Sequence, residues 1–165
     1  MKAIIRETYG PPDVLHLEEV PLPTLRDGDV LVKVEAASAN AGDWHLLRGT
    51  PLPFRLLAGV RTPKFKIIGN DIAGYVEAVG RNVTQFRPGD EVFGELSRCG
   101  FGAYAEFAAA PEKALALKPA NLSFEEAATI PKGEPHRVDA LRQLSHSSER
   151  IERFLGSLGQ ASAAA

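Results

Sequence analysis

The chain has 165 residues, enough for one hydrophobic core and too few for two complete ones. Hydrophobic residues make up 44% and charged residues 24%, an ordinary globular composition. The formal net charge of -2 leaves no basic surplus, which argues against a nucleic-acid partner or an anionic membrane.

Fifteen glycines and twelve prolines favour many short strands joined by turns over a helical bundle. Cys99 is the single cysteine, so neither an intramolecular disulfide nor a cysteine-built structural zinc site is available. The opening MKAIIRETYG lacks the apolar stretch of a signal peptide, and no segment has about 20 consecutive apolar residues. The expectation is a cytoplasmic protein with no membrane span.

In chain order, KAIIR is a short strand and VLHLEEV a second, closed by PLPTL. The turn signal DGD at 27–29 leads into VLVKVEAAS. There Val30, Val32, Val34 and Ala36 alternate with Leu31, Lys33 and Glu35, a period of two with one buried face. AGDWHLLRG predicts a short helical turn ending at Gly49. Residues 50–66 carry three prolines and four cations and predict a loop without regular structure. IAGYVEAVG is the next strand, its glycines marking bends or close backbone packing. RPGD at 87–90 has the type II turn pattern. EVFG, AYAEFAAA and KALALKP read as further short strands.

The pattern changes at Ser123. SFEEAA fits a capping box, with Ser123 as N-cap and Glu126 three residues on. Beyond the interruptions at Pro131, Gly133 and Pro135, Leu141, Leu144, Ile151, Leu155 and Leu158 fall on helical spacing, with Ser148 at the missing position. That predicts an amphipathic helix over 137–158, or two short ones. The domain expectation is a β domain over 1–131 and a helical extension over 132–165.

Three stretches come in one order: VLVKVEAASANAGDWHLLRG, IIGNDIAGYVEAVGRNVTQFRPGDEVFG and GFGAYAEFAAAPEKALALKPANLSFEEAATIP. Together they resemble the N-terminal half of the medium-chain dehydrogenase/reductase superfamily. The resemblance is to its zinc-less quinone-oxidoreductase-like members, also labelled NAD(P)-dependent alcohol dehydrogenases. It runs from residue 1 to about 131. It implies a mainly β fold, a GroES-like partly open β-barrel with short helices, forming the substrate side of an active site. It further implies a small carbonyl, quinone or alcohol substrate and NADP or NAD as cofactor, held by a Rossmann domain that normally follows.

The site residues follow from the same resemblance. Metal-dependent relatives place a histidine and an acidic residue after the glycine that here is Gly69, and a cysteine in the earlier loop. Asn70 and Asp71 stand at the first two positions, and Asn40 or a neighbour at the third. Neutral carboxamides are weak zinc ligands, and Asp71 alone does not hold the metal. The expectation is a chain without zinc. A second reading makes Asn70 and Asp71 a strand-end pair bonding their own backbone. SANAGDWH resembles an Asn-Pro-x-Asp loop near nicotinamide and substrate, with Asn40 and Asp43 matching and Ala41 in place of proline. Asn40 is then the group that bonds a carboxamide or substrate carbonyl. Asp43 supports the loop or caps the helical turn, and Trp44 packs. Thr129, in AATIP, is a cofactor contact only where a nucleotide domain is supplied.

Other candidates are weaker. His16, His45, His136 and His146 have no ligand spacing. Cys99 lies in a loop with no feature that lowers its pKa. GFGAYA matches Gly-x-Gly-x-x-Ala but leads toward a strand, whereas a phosphate grip needs a helix start.

The 34 residues after Pro131 are short for a nucleotide-binding domain, which takes on the order of 100 or more residues. Two functional readings follow. One is the substrate-side half of a zinc-independent oxidoreductase, truncated or completed by another polypeptide, and inactive alone. The other is a non-catalytic binding module on a relic barrel, its former domain interface covered by the 137–158 helix, a second copy or a partner. A co-chaperonin-like role rests on fold analogy only.

Overall fold

The computed structural model describes residues 1–130. The expected 137–158 helix and the 132–165 extension lie outside the described residues.

The described residues form two antiparallel sheets. The smaller pairs β1 (Lys2–Ile5) with β2 (His16–Glu19). The larger has five strands: β3 (Asp29–Ser38), β4 (Asp71–Val79), β5 (Glu91–Glu95), β6 (Phe107–Pro111) and β7 (Leu115–Leu117). Their order is β6-β3-β4-β5-β7, so the sheet stays open in its hydrogen bonding. Isolated bridges Ala3–Ala105 and Ile5–Ile67 tie the smaller sheet to the segments around the larger one. The mainly β architecture is as expected, with open sheets that do not close into a barrel.

Both faces of the central strands are buried, which explains their near-continuous apolar sequence. One face puts Ile72, Val76, Val92 and Leu115 into a core with Val30 and Val32. The other puts Ala73, Phe93 and Ala116 against α3 (Phe124–Thr129), through Ala127 and Ala128. The alternation expected in β3 holds in its C-terminal half, but Leu31 is buried beside Val30 and Val32. A register shift between Leu31 and Val32 accompanies that departure.

Gly74 shows why a glycine interrupts β4. A Cβ there would meet the Lys33 carbonyl oxygen at 2.0 Å, where the β3–β4 ladder shifts register between Val34 and Ala36. At the RPGD turn the Asp90 N–H donates to the Arg87 carbonyl at 3.1 Å and φ at Gly89 is +94°, as a type II turn requires.

The short helix is α1 (Ala41–Arg48). The 50–66 segment departs from its expectation. Leu52–Phe54 forms a 3₁₀ turn that runs into a one-turn helix, α2 (Arg55–Ala58). Pro53 lies within the first turn, where its missing N–H needs no partner, so proline content did not exclude helix here. The capping box at Ser123 and Glu126 is present as expected. Among the described residues no helix is long and apolar enough to cross a membrane.

Candidate functional site

The end of β3, the start of α1 and the start of β4 meet. Asn40 is the N-cap of α1, and its Oδ1 accepts from the Gly42 N–H at 2.7 Å and the Asp43 N–H at 3.3 Å. Asp43 reaches back as the third helical residue, accepting the Asn40 N–H at 2.9 Å on Oδ2. Asn40 is therefore the cap, and Asp43 the returning half of a capping box, which corrects the reading of Asp43 as the cap. An extended Asn40 is free to turn its amide onto the helix start because its own backbone lies outside the helix.

The same Asn40 holds β4. Its Nδ2 donates to Asp71 Oδ2 at 2.7 Å, and the Ser38 hydroxyl donates to that oxygen at 3.3 Å. Ser38 and Asp71 are register partners across the β3–β4 ladder. Asn70 Nδ2 donates to Asp43 Oδ1 at 2.8 Å and approaches Asn40 Oδ1 at 3.4 Å. The four residues expected as a site, Asn40, Asp43, Asn70 and Asp71, thus form one connected network. Asp43, Asn70 and Asp71 are buried, and Asn40 is half-buried.

Gly69 makes the approach possible. Its φ is +99°, and a Cβ there would meet Ala103 Cβ and the Tyr104 ring at 2.7 Å. The Tyr104 hydroxyl bonds Asp43, adding a member that the sequence reading missed. GFGAYA carried the only signal, an aromatic residue after two glycines. Backbone bonds from Ala103 N to Gly69 O and from Tyr104 N to Ile68 O lay that segment against the site. Gly100, Phe101 and Gly102 all have positive φ, so GFGAYA opens no helix and offers no phosphate grip.

Burial raises the Asp71 carboxyl to about 7, helped by the nearby charge of Glu95 and opposed by the donors on Asn40 and Ser38. Burial also raises Asp43, against the hydrogen bonds from Asn40 and Tyr104. Tyr104 is itself raised, by burial first and then by Asp43. Asp71 Oδ1 and Asn70 Oδ1 are buried with no protein donor among the described residues. The arrangement is a proton-holding carboxyl linked through one amide to a half-exposed surface.

A catalytic zinc does not fit these residues. Asn40 Nδ2 and Asn70 Nδ2 point their N–H groups at the carboxylates a metal would need, and no thiolate or imidazole joins them. Among the described residues no three His, Cys, Asp or Glu side chains gather as a metal group.

The remaining candidates fall elsewhere. Thr129 is exposed at the end of α3, its hydroxyl donating to the Glu126 carbonyl at 2.7 Å. Trp44 lies under the Arg48 guanidinium at 4.0 Å. His16 pairs with Glu18 at 3.5 Å on the exposed strand β2, and His45 is exposed on α1. The Cys99 thiol donates to the Leu96 carbonyl, and burial pushes it up to about 11, unlike a nucleophile. His136 and His146 lie outside the described residues.

Comparison with known proteins points the same way. The family model for the alcohol dehydrogenase GroES-like domain matches residues 26–120. A 2-methylene-furan-3-one reductase of Solanum lycopersicum is 36% identical, over 96% of this chain and 41% of its own length. An NADPH-dependent alkenal/one oxidoreductase of Arabidopsis thaliana is 37% identical, over 79% of this chain and 34% of its own. The solved quinone oxidoreductase of Coxiella burnetii superposes with a TM-score of 0.71 at 33% identity, covering 80% of this chain and 41% of that one. The chain thus spans about two-fifths of the length of the relatives it matches. Capping network, open antiparallel sheet and sequence agree: the chain belongs to the alcohol dehydrogenase GroES-like domain family, in its quinone-oxidoreductase-like part of the medium-chain dehydrogenase/reductase superfamily.

Proposed function

We propose that these residues form the substrate-side half of a zinc-independent, NAD(P)H-dependent oxidoreductase acting on a quinone, an enone or a related carbonyl compound. The observation that carries it is the half-exposed Asn40 amide, fixed between the start of α1 and the buried Asp71. The names of the relatives support the substrate class and the cofactor.

The cofactor supplies hydride when it is bound, on a part of the protein these residues do not include. The residues here bind and orient the acceptor. Asn40 has two amide hydrogens, of which one is committed to Asp71, leaving one to bond an acceptor oxygen. Asp43 and Asn70 keep the amide from rotating. Asp71, poised near neutral pH, holds or releases a proton behind it. On this reading the chain is inactive alone, and zinc has no role.

The test is an amide NMR titration of the chain with a soluble quinone and an α,β-unsaturated ketone, beside an assay for NADPH oxidation. Saturable shifts at Asn40, Gly42 and Asp43, abolished by Asn40→Ala, are expected, with no turnover by the chain alone. Shifts confined to other surfaces would overturn the site, and turnover without another polypeptide would overturn the division of labour.

A further inference from the structure

A cavity lies beside this network. It has a volume of about 800 Å³ and lies where the segment entering β3, the strand β6, the loop after β5 and the turn before β7 converge. Three cationic side chains line it from three of these places: Arg26, Arg98 and Lys113. Ala109 and Pro111 of the edge strand give it an apolar wall.

These three exposed cations, like Lys2 and Arg61, carry no side-chain ion pair or ring contact among the described residues, but only these three share one concavity. Elsewhere Lys33, Lys66, Arg81, Arg87 and Lys118 each pair with a carboxylate. Arg48, Arg55 and Lys64 lie over aromatic rings. Asp29 and Glu95 line the same cavity. Glu95 Oε1 is taken by the Ser97 N–H at 2.7 Å. The two carboxylates offset part of the cations' charge and leave the lining one positive charge in excess, which favours an anion over a cation. The apolar wall favours an anion that carries a hydrophobic body.

We infer that this cavity is a binding site for a small organic phosphate, its phosphate held among Arg26, Arg98 and Lys113 and its apolar part against Ala109 and Pro111. The site is independent of Asn40 and of the redox reading. The cavity and the Asn40 network meet only at Glu95, which lines the cavity and whose charge helps raise Asp71.

The experiment is an amide NMR titration of the full chain with phenyl phosphate, with inorganic phosphate and benzyl alcohol as the two half-ligands. Phenyl phosphate is expected to give saturable shifts at Cys99, Ala109 and Ala114, and to bind more tightly than inorganic phosphate. Benzyl alcohol is expected to leave those resonances in place. The double variant Arg98→Glu, Lys113→Glu is expected to weaken phenyl phosphate by at least about tenfold. Arg61→Glu, an exposed charge outside the cavity, serves as control and is expected to change nothing. All three are surface substitutions, and the unchanged spectrum of β4 and β5 checks the fold. Non-saturating shifts spread over surface cations, or equal affinity in the double variant and the control, would overturn the site. Saturable binding of benzyl alcohol at the same resonances would overturn the anion requirement.

Discussion

Asn40 Nδ2 donates to Asp71 Oδ2 at 2.7 Å across a separation of 31 residues. One amide thereby caps α1 and holds the first residue of β4. The bond lowers the pKa of a carboxyl that burial raises to about 7. Asn40→Ala is expected to remove both effects. The Asp71 titration, followed by carboxyl ¹³C shifts, should move further up. Loss of the cap should lower stability by about 1 kcal/mol. An unmoved titration would show that Asn40 does not stabilise the charged form.

The raised Asp71 fixes the sign of a pH dependence. The folded state keeps its proton up to about 7, whereas the unfolded chain releases it near the ordinary aspartate value of 3.8. Between these values the folded state binds more protons, so this group's contribution to stability falls as pH rises through that window. It is fully present below the lower value and lost above the upper. Asp43 acts in the same direction. Asp71→Asn keeps the shape and removes the titration. It is expected to flatten the stability profile between about pH 4 and 7 and to raise stability at pH 8 by up to about 4 kcal/mol. Urea midpoints measured across pH on both proteins check this.

Gly69 is expected to reject any side chain. Its φ of +99° strains an L residue, and the Cβ would strike Ala103 and Tyr104 at 2.7 Å. Gly69→Ala should cost about 2 kcal/mol or more and displace Tyr104 from Asp43. Gly89→Ala is the comparison: φ there is +94°, but nothing lies within 4 Å of the added Cβ. It should lose only the conformational part. Thermal melts of the two variants separate strain from collision.

Arg6 is fully buried, and its guanidinium donates to the carbonyls of Leu46 and Leu47 at the end of α1. Arg6→Met fills the space and leaves those carbonyls only their backbone donors, the Gly49 N–H at 3.3 Å on Leu46 and the Gly10 N–H at 3.2 Å on Leu47. A loss of about 2–4 kcal/mol is expected, with faster amide exchange in α1. Unchanged exchange there would show that the helix does not depend on Arg6.

Much of this was legible because it is local. The capping box at Ser123 and Glu126 needs only four consecutive residues, and the turn at 87–90 likewise. The alternation in VLVKVEAAS and the glycines of IAGYVEAVG predicted β3 and β4, since period two is a property of the strand itself. Prolines misled at 50–66, because proline at the first turn of a helix starts it as readily as it breaks one. Asn40, Asp43, Asn70 and Asp71 were nominated by resemblance. Their hydrogen bonds were not legible, because they join two segments whose approach depends on packing between.

The sequence by itself determined the main strands, the 87–90 turn and the capping box at Ser123, since period, glycine placement and capping chemistry act over a few neighbours. Only the tertiary structure decided which side chains bond each other and which carboxyl stays protonated. Tyr104 reaches Asp43, and Arg26, Arg98 and Lys113 reach one cavity, through folds of the chain that no local pattern encodes. The Asp71 pKa depends on burial, and burial is a property of the whole packed domain.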